Sequence, residues 1–374
     1  MEWLTGSTPK SSDDILLIYA ILTVATIWSS NPRASKIGTD LAKTARFASA
    51  GAFGLQVVQA RQHFALYFES IGSLERSWDF LGSAIRAAIG SNLHLELPAH
   101  SNLDVSTLPL GLNRGSYAET RRRTFWSCYI MDRLGSFRGS GRLSNISTEN
   151  IFLRMPCDNA SFKQQKELIN PFFSPDLDLT YNESGTFGIM AYLVLVCTIY
   201  HDIMTKVWRA EQGQKIANVE SFYQEMEDRL EKFIKSLPPC IAHSVDNINK
   251  TTEFGLLGSF AAVHAVYRAA MVKLSNSKVL DVPGLISSSE RQRTATKQAE
   301  ALVRETGQLS SRYNRSAGIN DYACGHIPSF VGVAVTDAMR VLGGKALTAT
   351  IKMEDAQEVV GNLCQIWPGI LAPV

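Results

Sequence analysis

The stretch LERSWDFLGSAIRAAIGS, residues 74–91, sets the fold class. Trp78, Leu81, Ile85, Ala88 and Ile89 recur at steps of three and four residues, which places them on one face of an α-helix. Gly82, Ala84 and Ala87 are small enough to let a neighbouring helix approach closely. Ser73 stands where an N-cap is wanted, and Gly72 ends a preceding helix over 55–71, so the two read as a pair joined by a short turn.

The same period extends in both directions. Ser11-Ser12-Asp13-Asp14 supplies a cap and first-turn acids for an apolar helix running to Trp28, where Asn31-Pro32 stops it; a further helix fits 34–50. Residues 98–115 read as a loop, rich in Ser, Asn, Gly and Pro. Ser116-Tyr117-Ala118-Glu119 has capping-box spacing and predicts a helix to about Leu134, whose Phe125, Trp126, Cys128, Tyr129, Ile130 and Leu134 cover more than one face. Residues 161–185 are polar, aperiodic and interrupted by prolines, and mark a linker between an N-terminal half, 1–160, and a C-terminal half, 186–374. Helices are predicted beyond it over 188–211, 219–237, 252–276, 288–313, 322–342 and 354–367. Alternating strand patterns of useful length and Asn-Gly hairpins are missing. The expected fold is all-α: an antiparallel array of about ten or more helices in two packed halves.

Composition narrows the function classes. The 374 residues are 45% hydrophobic and 19% charged, which excludes collagen-like and disordered chains. Lys and Arg number 37 against 35 acids, so the net charge of +2 sets up no field that would steer the whole molecule onto nucleic acid. The cysteines Cys128, Cys157, Cys197, Cys240, Cys324 and Cys364 are scattered, as in a reducing compartment, and offer no local zinc clip. The apolar run 15–28 follows two acids and is too short to span a bilayer comfortably, so no membrane partner is expected. G-x-S-x-G, G-x-G-x-x-G and H-E-x-x-H are all missing, Gly343-Gly344-Lys345 lacks the remainder of a P-loop, and no two histidines stand four apart. No catalytic residue, resident metal or enzyme activity is expected.

One local charge cluster stands out. Arg121, Arg122 and Arg123, with Arg114, Arg133, Arg138 and Arg142 nearby, face only Glu119 and Asp132. Guanidinium forks match phosphate oxygens, which would suit DNA or an acidic partner. Consecutive helical residues point about 100° apart, however, so the three are also suited to separate carboxylates or helix C-termini of neighbouring segments.

Three motifs in order carry a resemblance. Residues 77–94, with Trp78, Gly82, Ala84, Arg86, Ala88 and His94, resemble an A-W-x-x-x-G-x-A-x-R-x-A-x-x-L-G-L-H helix. Residues 119–133, with Glu119, Arg121, Arg122, Arg123, Phe125, Trp126, Tyr129, Asp132 and Arg133, are similar to E-x-R-R-R-x-F-W-x-x-Y-x-x-D-R, and Gly141 and Arg142 open a turn like G-R-P-x-x-I. These are motifs of the fungal-specific transcription factor domain, the middle homology region of fungal zinc-cluster regulators. The resemblance covers about 14–158. It departs at Leu143, where proline is common, at 89–92, where a leucine-glycine pair is common, and at Ser140, an extra residue.

The resemblance implies an all-α regulatory module of a fungal regulator of RNA polymerase II transcription, nuclear (otherwise cytoplasmic), and associated with a biosynthetic gene cluster. Its motif residues are expected to be structural, with none assigned to DNA. The family's zinc belongs to a head with clustered cysteines, which these six do not match, so no cofactor is expected here and DNA would be reached indirectly or through a head. Expected partners are a full-length zinc-cluster factor, a coactivator or a second copy, with a small-molecule effector as a further one. The alternative is a helical sensor with a pocket closed by Trp126, Tyr129 or Trp208, or a partner-binding module without DNA binding.

Overall fold

The computed structural model describes residues 9–29, 31–48, 51–98, 108–135, 144–177, 187–281, 287–316, 328–343 and 353–367. Among them are thirteen α-helices and no strand, only isolated bridges, so the chain is all-α. It divides into two compact units, one formed mainly by 1–136 and 142–177 and ending at Ala191, the other mainly by 192–374.

In the N-terminal unit, α1 (Ser12–Ala25) packs on α2 (Ala34–Ala48) and α3 (Leu55–Ser70), and α3 packs along α4 (Leu74–Gly90). Ser11 closes the capping box of α1: its hydroxyl takes the Asp14 amide at 3.1 Å, and the Asp14 carboxylate takes the Ser11 amide at 2.9 Å. Phe80 of α4 stacks on Phe68 at 5.3 Å and meets Phe64 at 5.4 Å, which ties the pair together. Ser73 makes no side-chain cap bond, and Trp78, on the same side as buried Ile85 but nearer the helix start, stays 45% exposed because the covered stripe begins only at Phe80.

The end of α4 explains the departure at 89–92. The helix runs through Gly90 and closes when Leu93 N–H reaches Ala88 O at 2.8 Å and Asn92 N–H reaches Ile89 O at 2.9 Å. Asn92 takes φ 54°, the left-handed conformation that asparagine tolerates better than most side chains.

Helix α5 (Arg114–Gly135) lies against α3 and α4. It starts three residues earlier than its sequence signal, because Asn113, not Ser116, is the cap: the Asn113 side-chain oxygen accepts the Ser116 amide at 2.8 Å. The Ser116 hydroxyl is left buried without a hydrogen-bond partner. Within 144–177, a one-turn helix α6 (Asn159–Lys163) follows extended backbone that bridges Leu95 to Phe152 and Arg154 to Phe172.

The C-terminal unit is built on α10 (Leu257–Asn276), buried along most of its length. It contacts α8 (Val219–Ser236), α9 (Val245–Glu253), α11 (Ser288–Ser316) and α12 (Ser329–Leu342), and α13 (Met353–Ile366) closes on α11 and α12. The helix predicted over 252–276 starts only at Leu257; before it a separate α9, not foreseen from the sequence, ends at Glu253, and Gly255 between them has a φ of 68° that no right-handed helix contains. The helix predicted over 322–342 is described from Ser329, after Pro328; 317–327 lie outside the described residues. One described helix, α7 (Ile189–Glu211), is long and apolar enough to cross a membrane, with 67% of its apolar window buried inside the protein.

Candidate functional site

The motif residues on α5 converge on a buried network in the N-terminal unit. The Arg122 Nε donates to both carboxylate oxygens of Glu96 at 3.1 and 3.0 Å, its Nη2 to Glu96 Oε1 at 2.6 Å, and its Nη1 to Glu119 Oε2 at 3.0 Å. Arg123, one residue on and turned to another side, donates to Glu119 Oε1 at 2.9 Å, Asn159 Oδ1 at 2.7 Å and Cys157 O at 2.8 Å, with its guanidinium 4.4 Å from the Phe162 ring centre. Arg121 points to a third direction and donates to Asn92 O at 2.7 Å, just beyond the C-terminus of α4.

The two acids gather backbone as well as charge. Glu119 Oε1 accepts the Cys157 amide at 3.0 Å, and Glu96 Oε2 accepts the Arg154 amide at 3.2 Å. The Trp126 indole donates to Arg154 O at 2.9 Å. Gly188 fits closely here, since a side-chain carbon on it would lie 2.6 Å from Cys157 O. The effect is to pin 94–96, 153–159 and α5 to one another.

A second clamp closes the C-terminal end of α5. The Asp132 carboxylate accepts the backbone amides of Asn145 and Ile146 at 3.0 Å and the Asn145 side chain at 3.0 Å. Arg133 donates to Ile146 O at 2.7 Å and to the Ser144 hydroxyl, and lies 4.5 Å from the Tyr129 ring centre. Between the clamps Phe125, Trp126 and Tyr129 are at most 1% exposed and stack edge-on at 5.6 and 5.4 Å. Burial of such side chains contributes on the order of 2–3 kcal/mol each.

Electrostatics keep the hub charged. Burial pulls the Arg122 guanidinium down, but hydrogen bonds and charge from Glu96 and Glu119 outweigh it and hold its value above the ordinary arginine range. His94, 6.4 Å from Phe125, is pushed below the usual histidine range by burial and by the charge of Arg121. Cys157 is pushed up to about 12 by burial and by Glu119, and Cys128 to about 12 by burial, so both thiols are neutral and unreactive near pH 7. No group of three or more metal-binding side chains forms among the described residues.

Trp78, Gly82 and Arg86 stand apart from the hub on α4, with Arg86 exposed at 3.6 Å from where a side chain on Gly82 would begin. Gly141 and Arg142, like Arg138 and Leu143, lie outside the described residues. Glu96, Asn159 and the backbone of Cys157 were not singled out from the sequence. The one signal for Glu96 was arithmetic: three arginines with a single adjacent acid need a partner from elsewhere.

The arrangement positions chain; it does not offer a set of acid, base and nucleophile. The Arg122 and Arg123 forks are spent on carboxylates, carbonyls and an amide oxygen, leaving them unsuited to phosphate. Comparison with known proteins places this hub in a wider group. Residues 3–237 match the fungal specific transcription factor domain. The chain is 25% identical to transcription factor tazR of Aspergillus terreus over 56% of its own length and 32% of that protein. It is 25% identical to the Zn(2)-C6 fungal-type transcription factor FTF1a of Fusarium oxysporum f. sp. lycopersici over 78% of its length and 29% of that protein. An uncharacterized transcriptional regulatory protein of Schizosaccharomyces pombe, C530.11c, is 23% identical over 51% and 25%. The chain thus spans about a quarter to a third of the length of these relatives. No solved structure matches.

Proposed function

The chain belongs to the fungal specific transcription factor domain family, and from that premise we propose that it is the regulatory module of a fungal regulator of RNA polymerase II transcription, working in the nucleus. The observation that carries the reading is the match over 3–237, which includes every residue of the hub. The hub supports a module that acts through protein contacts: guanidiniums held by Glu96, Glu119 and backbone carbonyls contribute rigidity to the surface and little to DNA affinity. A DNA-binding chain of the same family, a coactivator or a second copy would carry it to a promoter.

Two measurements test this. Fused to a heterologous DNA-binding domain in a fungal host, the chain is expected to change a reporter's output several-fold relative to that domain alone. An unchanged reporter with a folded, nuclear fusion overturns the reading. The purified chain titrated with random and promoter duplexes over a salt series is expected to show no sequence-selective binding; selective binding would assign it a DNA surface of its own.

A further inference from the structure

Within the C-terminal unit, α7, α10, α11 and α12 surround a cavity of about 480 Å³. Small-molecule sites span roughly 300–1,000 Å³. The floor is apolar and firmly set. Tyr200 and Phe330 meet edge to face at 5.5 Å and are 7% and 6% exposed, with buried Leu302 and Ala334 beside them.

The rim is charged, and its charges do not cancel. Lys273 lies 3.5 Å from Glu211 and Arg340 lies 2.6 Å from Asp337, which makes two neutral pairs. Lys278, the fifth charged residue of the lining, is exposed, and no carboxylate among the described residues pairs with it. The opening therefore carries one uncompensated positive charge above an apolar floor. A neutral hydrocarbon would leave that charge unused, and a cation would be repelled by it.

We propose that this cavity binds a small amphipathic organic anion, with its hydrocarbon body against Tyr200 and Phe330 and its carboxylate on Lys278. The site is formed by the C-terminal unit alone and does not depend on the regulatory reading.

Dodecanoate, kept below its micellar range, is the probe, titrated calorimetrically into the full chain beside dodecanol and dodecyltrimethylammonium. One saturable site is expected for dodecanoate, with weaker binding of the alcohol and weakest binding of the cation. Lys278→Glu, on an exposed side chain, is expected to weaken dodecanoate about tenfold while leaving the alcohol unchanged. Val333→Trp, on the half-buried α12 wall, is expected to abolish both; Met204→Trp from the α7 wall makes the same test should the first variant melt early. No saturable binding, equal binding of anion and cation, or dodecanoate binding that survives both the charge reversal and a folded cavity-filling variant would overturn the proposal.

Discussion

Arg122 is held by two carboxylates in a largely buried set: its side chain is 9% exposed, Glu119 6% and Glu96 18%. Removing one partner of such a buried set leaves charges stranded away from water, which costs about 3–5 kcal/mol. Arg122→Ala is therefore expected to lower stability by about 3 kcal/mol in denaturant unfolding, with no change in non-specific DNA affinity. Arg122→Lys keeps the charge but cannot fork between Glu96 and Glu119, and is expected to recover only part of the loss. A variant as stable as the parent, with a weakened salt-dependent DNA affinity, would mean the guanidinium faces phosphate after all. At this scale the sequence was half legible. The directions of the three arginines follow from helical geometry, but Glu96 lies 26 residues from Arg122, and only the folded turn at Asn92 brings it near. Glu119 misled, because Ser116 with Glu119 three residues on looks like a capping box, whereas the Glu is drawn inward by Arg122, Arg123 and the Cys157 amide.

Helix ends were legible in part: Ser11 caps as read, whereas Ser73 and Ser116 do not cap and the stop at Gly255 lay inside a predicted helix. Ser11 and Asp14 bond each other as their spacing requires, and Asn92 and Gly255 take the positive φ that ends a helix. What the pattern over 252–276 hid is the stop at Gly255: the helix begins only at Leu257, and the short, mostly polar α9 before it carries little apolar signal. Gly255 has no heavy atom within 4 Å of where a side chain would begin, so substitution there acts on backbone conformation alone. Gly255→Ala is expected to cost about 1 kcal/mol through the left-handed penalty, and Gly255→Asn distinctly less. Thermal unfolding of the pair separates this from packing: equal losses for Ala and Asn would mean that the cost is steric and the open space is not open.

At the scale of the molecule, a chain with a net charge of +2 shows no strong pH signature in its composition; the buried histidines create one. His264, 4% exposed, is held down to about 4, mainly by burial, with its Nε2–H donated to Ile241 O at 2.9 Å. His243 stands 5.2 Å away, edge-on, and is also pushed below the usual range by burial; Glu305 opposes both shifts, while Arg268 reinforces them. The unfolded chain takes up a proton on His264 near 6.5, and the folded one resists until about 4. The unfolded state therefore binds more protons in that window, and stability falls as pH falls through it. Above pH 7 both states are neutral there and the effect vanishes. The expected loss in the C-terminal unit between pH 6.5 and 4 is about 3 kcal/mol from His264, with His243 adding in the same direction. His264→Gln keeps a donor for Ile241 O but cannot titrate, so its stability, measured by denaturant unfolding at stepped pH, is expected to decline less steeply across this window than the parent's. Parallel curves for the two would place the acid sensitivity elsewhere and leave His264 as a packing residue.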